Sequence, residues 1–554
     1  MNNPKYLLVG VNAKYIHTSL SVRTLSAYCG NIPWVEYTIN EDSASVCADI
    51  YFRKADMVLF SCYIWNIEYI LRTARRLKSV APHTKIVLGG PEVSYSAEKY
   101  LEENTFVDAV IRGEGEETVR RIVQTGTLEH KGVTYRSDGR IISLEPRALI
   151  TDISKIPFPY TDEDIENNKH RLIYYETSRG CPFNCSYCLS STEHSVRFRD
   201  LRLVFDEMKY FIDKGVKIVK LTDRTFNAHR ERTHKILRFL IEHAGKTTFH
   251  FEVAADLLDT ETLELLKTAP KGLFQLEIGV QSTNDRTLAA INRKTDIEKI
   301  SEAVRKIRSF GNIHTHLDLI AGLPHEDFES FRNSFNCVYK MRPHVIQLGF
   351  LKLLHGTEIR RTSSGTIFTA EPPYEVLQTP YISYDELLRL KRIEDIAEKY
   401  YNSLAFERSV EFLAEHFDEP FDMFSALADF YGKNGFERIG ISRDRLYEIL
   451  LRFAEENGCD MRHFRDLLLF DYLSSNKPRT PSWAQCKPVT AERFEILTED
   501  FIARQLPEYA GMSAKEIVKH IHFERFYEPE RILIFDPHYS RIITVPQNAL
   551  KSGA

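Results

Sequence analysis

Strand-like apolar runs alternate with amphipathic helical stretches twice along this chain, and that double alternation limits the fold more than any other feature. In the first 150 residues the runs are KYLLVGV (5–11), VEYTI (35–39), MVLFSCY (57–63), KIVLGG (85–90) and FVDAVIRG (106–113). Stretches such as SLSVRTLSAYC and EYILRTARRLKSV, with apolar residues at helical spacing, separate them. This predicts βαβ units and a doubly wound parallel sheet, an α/β fold. Ligands of such sheets sit beyond the carboxyl ends of the strands. Those ends carry Asn12, Ser61, the Gly89-Gly90-Pro91 turn and the Gly113-Glu114-Gly115-Glu116 turn. Glycine pairs there let the backbone approach a bulky ligand closely. Glycine turns also end many strands that bind nothing, so these alone do not define a site.

Residues 151–169 (TDISKIPFPYTDEDIENNK) hold two prolines and an acidic cluster without periodicity and read as a linker. The alternation then resumes over 170–375, with strands at 171–178, 216–222, 248–254, 273–280, 313–322 and 344–351. Six βα units predict a partial (β/α)6 barrel whose chemistry lies at the strand carboxyl ends. Residues 376–554 form a third, mostly helical region, broken by KPRTPSWAQCKP and closing on the strand-like RILIFD and RIITV. The domains expected are therefore 1–150, 170–375 and 376–554, joined by the 151–169 linker.

Lys and Arg total 73 against 78 Asp and Glu, a net charge of −5, so no basic excess points to a nucleic-acid partner. No apolar run approaches the roughly 18–20 residues of a membrane span. The opening MNNPKYLLVG lacks a secretory layout, and the expected location is the cytoplasm. Nine cysteines are too few for a disulfide scaffold. Cys29, Cys47, Cys62, Cys337, Cys459 and Cys486 are scattered and read as small buried hydrophobes.

Cys181, Cys185 and Cys188 differ. They stand in TSRGCPFNCSYCLSS, directly after the first barrel strand. At this cysteine frequency, about 0.002 such triads are expected by chance, so the spacing marks a site. Three thiolates on one loop can hold three irons of a 4Fe–4S cluster and leave the fourth open. Structural zinc would need a fourth ligand, for which His194 is the local choice. A redox disulfide would use only a CxxC pair.

The CxxxCxxC segment closely resembles the radical S-adenosylmethionine superfamily, over roughly residues 168–360. The resemblance implies a 4Fe–4S cluster on the three cysteines and S-adenosylmethionine on the open iron. It also implies a 5′-deoxyadenosyl radical and a one-electron donor such as flavodoxin or ferredoxin. Tyr187 matches the aromatic position near the adenine. Glu252 in FHFEVAADLL, Gln281 in IGVQS, Arg293 in INRKTD and Asp318 in DLIAGLP match positions that hold the cofactor's sugar and methionine in relatives of the anaerobic coproporphyrinogen oxidases. Many relatives carry a glycine-rich turn after the second strand; here the stretch is LTDRTFN, and Asp223 is expected to receive the amino group instead.

The strings NAKYIHTSLSVRTL, LGGPEVSYS and VIRGEGEET resemble the cobalamin-binding domain of class B radical enzymes. This implies cobalamin held by Asn12, Ser61, Gly89, Gly90 and Glu114. The DxHxxG string that donates a histidine to cobalt is absent, so His17 is not expected to ligate the metal. Cys29, Cys47 and Cys62 lack the strings of the methylthiotransferase branch. The C-terminal region resembles an appended family of unassigned function. The implied activity is a cobalamin-dependent methyltransferase acting on an unactivated carbon, with catalytic residues and substrate unnamed. A non-methylating rearrangement or cyclisation, and a non-enzymatic corrinoid or redox sensor, stay open. His314 and His316 alternate on one strand and read as packing or polar contacts.

Overall fold

The computed structural model describes residues 5–192, 195–438, 440–475, 479–485, 488–490 and 492–546. His194 and Cys486 lie outside them. The chain divides into two compact units, residues 1–343 with 347–387, and residues 344–346 with 388–554.

The first unit opens with a seven-stranded sheet. Strands β1 (Tyr6–Asn12), β2 (Trp34–Thr38), β3 (Met57–Ser61), β4 (Lys85–Gly89) and β5 (Ala109–Ile111) run parallel in the order 2-1-3-4-5. β1 and β3 are buried at every position, as strands covered by helices on both faces must be. Two hydrophobic clusters fill the two faces, one around Leu7, Val9 and Phe60 and the other around Leu8, Leu59 and Val87. The strand order reverses between β1 and β3, so the crevice of the fold lies at Asn12 and Ser61. An antiparallel hairpin, β6 (Val133–Ser137) and β7 (Arg140–Ser143), extends the sheet beyond the parallel strands. Its turn, Asp138-Gly139, has φ of 48° and 74°, the left-handed pair that suits a two-residue hairpin loop.

The segment read as a linker is packed rather than loose. It forms the helix Asp162–Asn168, whose N-terminus is capped by Thr161, and it buries Ile153, Ile156, Tyr160 and Ile165. The fully buried Arg23 guanidinium bonds Asp164 of this helix and Glu36 of β2, and Tyr160 donates to the Tyr174 carbonyl. The N-terminal sheet is thereby held against the strands that follow.

Those strands, Leu172–Tyr175, Ile218–Leu221, Thr248–Val253, Phe274–Gln281, His314–Ala321 and Val345–Phe350, lie side by side in chain order. One face is apolar: Ile173, Val219, Phe249, Phe251, Leu276, Ile278, Leu317 and Leu319 are all buried. Period two puts Tyr174, Lys220, His250, Glu252, Glu277, His316 and Asp318 on the opposite face. The partial barrel therefore has an ionisable interior, which a purely structural core would avoid.

The C-terminal helices Glu407–His416, Pro420–Asn434, Arg443–Glu456 and Met461–Ser475 are followed by a three-stranded antiparallel sheet, His522–Tyr527, Glu530–Asp536 and Arg541–Thr544. Buried Asp471 accepts bonds from the Arg408 and Ser409 amides and the Ser409 hydroxyl, capping the first of these helices. Among the described residues no helix is long and apolar enough to cross a membrane.

Candidate functional site

The cysteine loop leaves the first barrel strand and is fixed from below by Asp223. This fully buried carboxylate accepts the amides of Thr177 (2.7 Å) and Ser178 (3.1 Å) and both their hydroxyls. Gly180 follows at φ +89°, where a Cβ would lie 2.2 Å from the Ser195 carbonyl oxygen, so only glycine fits. Cys181 and Cys185 are buried and Cys188 half-buried, all as free thiols. Thr225 Oγ1 lies 3.5 Å from Cys181 Sγ, and the Cys188 amide donates to the Cys185 carbonyl at 3.1 Å. Burial pushes the Cys181 thiol up, and the other two cysteines add to that shift. Among the described residues no three His, Cys, Asp or Glu side chains converge on a single ion. A cluster makes no such demand, because each of three irons takes one thiolate.

Arg293 reaches this loop from beyond the fourth strand. Its Nη1 lies 3.6 Å from Cys185 Sγ and 3.5 Å from the Tyr187 hydroxyl, and its Nη2 donates to the Gly279 carbonyl. Gln281 adopts φ +70°, uncommon for a residue with a side chain, at an irregularity in the strand register. Its amide folds back over Gly279, where a Cβ would stand 2.3 Å from Gln281 Nε2. Asp318 pairs in register with Gly279. Burial, with Glu277 and Glu252 nearby, holds its carboxyl well above the usual range. Gln281 Oε1, Arg293 Nε and Asp318 Oδ1 are each buried without a hydrogen-bond partner. Orphaned polar atoms are costly, and three around one loop fit a polar ligand. Burial also raises the Glu252 carboxyl, opposed by Arg224.

Beside these groups runs a network that sequence reading missed. Burial opposes ionisation of Glu277, yet bonds from His250 and Lys220, each 2.8 Å, hold it at about 2. Burial pushes His316 down to about 4, helped by His314 and His250. The pairing needs Lys220, His250 and Glu277 on three adjacent strands, and alternation within each strand was its only sequence signal.

A cavity of about 640 Å³ joins the two sheets. One wall carries Asn12, His17, Ser61, Gly89 and Gly90; the other carries Tyr174, Lys220, Thr222, Arg224 and Glu252. Gly90 stands at φ +117°, and a Cβ there would meet the Cys62 carbonyl oxygen at 2.4 Å. Asn12 donates to Glu36 at 3.0 Å, and the Ser61 and Ser21 hydroxyls share a 2.7 Å bond. His17 Nδ1 lies 2.8 Å from the Tyr174 hydroxyl. Tyr63 and Trp65, stacked 4.4 Å apart, also line this cavity and were not anticipated.

Two expected residues face elsewhere. Asp223 was assigned to a ligand amino group, but its oxygens are occupied by four donors of the loop, and Thr222 and Arg224 line the cavity on either side of it. Glu114 lines a second cavity and is tied to Arg179 (3.1 Å), Arg197 (2.8 Å) and the Ile150 amide (2.7 Å).

The family model "B12 binding domain" matches residues 6–123, "Radical SAM superfamily" matches 175–338, and "Protein of unknown function (DUF4080)" matches 363–531. The chain is 28% identical over 324 residues to the cobalamin-dependent radical SAM methyltransferase TokK of Streptomyces tokunonensis, covering 54% of this chain and 47% of TokK. It is 26% identical to the 2-(S-pantetheinyl)-carbapenam-3-carboxylate methyltransferase of Streptantibioticus cattleyicolor, covering 53% and 47%. It thus spans about half the length of these relatives. The fold is similar to that of the cobalamin-dependent S-adenosylmethionine radical enzyme OxsB with aqua-cobalamin bound, at a TM-score of 0.59 and 14% identity, covering 85% of this chain and 81% of OxsB.

Proposed function

We propose that the chain, which matches the cobalamin-binding, radical S-adenosylmethionine and DUF4080 family models in turn, is a cobalamin-dependent radical S-adenosylmethionine enzyme that methylates an unactivated carbon. When bound, a 4Fe–4S cluster, S-adenosylmethionine and cobalamin would together supply a 5′-deoxyadenosyl radical to remove a hydrogen atom and a methyl group to replace it.

The residues of the chain bind, orient and exclude water. Cys181, Cys185 and Cys188 hold the cluster. Arg293, touching both that loop and Tyr187, pairs with the methionine carboxylate, while Gln281 and Asp318 use their unpartnered buried atoms on the rest of the cofactor. Glu252 accepts ribose hydroxyls. Asn12, Ser61, Gly89 and Gly90 form the corrin wall, and Gly90 lets the backbone approach closely. The observation that carries this reading is the cavity of about 640 Å³ bounded by the strand ends of both sheets. Of the residues assigned to S-adenosylmethionine, Glu252 lines it together with the corrin wall, so ligands of the two sheets would be neighbours there, which is the positioning a two-cofactor reaction requires.

The domain limits 1–150, 170–375 and 376–554, an electron donor such as flavodoxin or ferredoxin, and a cytoplasmic location belong to the same proposal. The test is anaerobic reconstitution with methyl-labelled S-adenosylmethionine and host extract. The expected result is 5′-deoxyadenosine and a labelled product heavier by one CH2. A product without that gain would favour rearrangement, and the absence of cleavage would leave a sensor.

A further inference from the structure

The second cavity, about 620 Å³, adjoins the first and shares Gly90, Glu176, Arg179, Thr222 and Arg224 with it. Its other wall reaches Ser178 and Gly180 before the first cluster cysteine and Leu189 after the last. A molecule entering here would arrive beside the cysteine loop.

The charges of this cavity do not balance. Its carboxylates are committed: Glu114 to Arg179 and Arg197, and Glu116 and Glu176 to Arg179. Arg112, Arg147 and Arg224 also line it; none of them forms a salt bridge among the described residues, although Glu98 feels Arg112 and Glu252 feels Arg224 at longer range. Arg112 spends an Nη2 hydrogen on the Leu144 carbonyl, and its buried Nε has no acceptor. Arg147 uses its Nε on Thr118 Oγ1 at 2.7 Å, and Arg224 is exposed. Gly132 packs closely beside Arg147, since a Cβ there would lie 3.3 Å from Arg147 Cβ. Cations held without a direct salt bridge in a concave, partly apolar wall focus a positive potential. Planar guanidinium forks match carboxylate and phosphate oxygens in particular.

We infer that this second cavity receives the anionic end of the substrate, a carboxylate or phosphate, with Arg112 and Arg147 on one side and Arg224 where the two cavities meet. The inference rests on the methyl-transfer reading, whose cofactors are themselves anionic in part: cobalamin through its nucleotide phosphate and S-adenosylmethionine through its carboxylate. The experiment therefore uses protein already loaded with cluster, cobalamin and S-adenosylmethionine. Inorganic pyrophosphate and citrate are the probes, titrated calorimetrically without oxygen. Loaded wild type should bind at least one of them saturably. The Arg147→Gln/Arg224→Gln variant should bind about tenfold or more weakly at equal cobalamin content, and Arg147→Lys/Arg224→Lys should retain most of the affinity. Because Arg224 is exposed, Arg224→Gln alone serves if the double variant fails to fold. No saturable binding to loaded wild type, equal binding by the glutamine variants, or binding seen only before cofactor loading would each overturn the assignment. Deoxyadenosine formation, measured on the same samples, reports separately on the radical reading.

Discussion

Arg293 Nη1 lies 3.6 Å from the sulfur of Cys185, so the cation proposed for the methionine carboxylate is in contact with the loop proposed for the cluster. The same guanidinium is held by the Gly279 carbonyl, beside the left-handed Gln281. Replacing Arg293 with methionine removes one charge-assisted contact and leaves the thiols in place. Such contacts contribute about 1.5–3 kcal/mol. S-adenosylmethionine affinity should fall roughly 10- to 100-fold at unchanged iron content. Anaerobic equilibrium dialysis decides it, and an unchanged affinity would remove Arg293 from the site.

The three cysteines should act as a set. Replacing Cys181, Cys185 and Cys188 with alanine should abolish iron binding, expected at about four per wild-type chain, and with it deoxyadenosine formation. Cys337 and Cys459 lie outside the site, and serine at either should leave the iron content unchanged. A triple variant that kept its iron would end the cluster assignment.

His17 should not ligate cobalt. It stands outside any DxHxxG string, the context from which corrinoid domains donate a histidine, and its Nδ1 is 2.8 Å from the Tyr174 hydroxyl. Cob(II)alamin bound to the protein should show no nitrogen hyperfine splitting from a lower ligand, in wild type and in His17→Ala alike. Splitting that vanishes in the variant would reverse this.

How much of this could be read from residues alone depends on the range of the interactions involved. The parallel strands were legible because periods of 2 and 3.6 are local, and the cysteine loop because its ligands are seven positions apart. The β6–β7 hairpin was overlooked although Asp138-Gly139 announces it. The 151–169 segment read as a linker, and its packing was not legible because the partner of its Asp164, Arg23, lies 141 residues away. Asp223 and Glu114 were placed on ligands because nothing local reveals their true partners, Thr177 and Ser178 for one and Arg179 and Arg197 for the other. The Lys220–Glu277–His250 network needs the register of three strands, which no single sequence displays.

Glu326 should make stability fall with rising pH. It is wholly buried, one oxygen accepts from Ser282 (2.5 Å) and Ser334 (3.3 Å), and the other has no partner. Burial pushes its carboxyl from 4.5 up to about 8. Between these values the folded chain holds a proton that the unfolded chain has lost, so the unfolded state gains as pH rises. The effect is complete above about 8 and absent below about 4.5. Its size is on the order of a few kcal/mol. Thermal unfolding should therefore decline more steeply from about pH 5 to pH 8 in wild type than in Glu326→Gln. Parallel profiles would show that this carboxyl does not titrate as described.

Removing the Arg179 charge should be costly at the junction of the two sheets. Its guanidinium bonds Glu114 (3.1 Å) and Glu116 of the N-terminal sheet's last parallel strand–helix turn, and Glu176 (2.9 Å) at the end of the first barrel strand. It also stands two residues before Cys181, so one side chain links the cobalamin-side wall to the cysteine loop. Methionine would fill much of the same volume but leave Glu116 and Glu176 half-buried to buried without a cation, while Arg197 still holds Glu114. Removing one partner of such a cluster typically costs about 3–5 kcal/mol, mostly as the penalty on the stranded charges. Arg179→Met should accordingly lower the unfolding temperature and weaken cobalamin retention together. Adding Glu116→Gln should recover part of both losses, because it neutralises a stranded carboxylate rather than breaking a second bond. If the double variant is no more stable than Arg179→Met, the loss comes from packing and the ion cluster does not join the two walls.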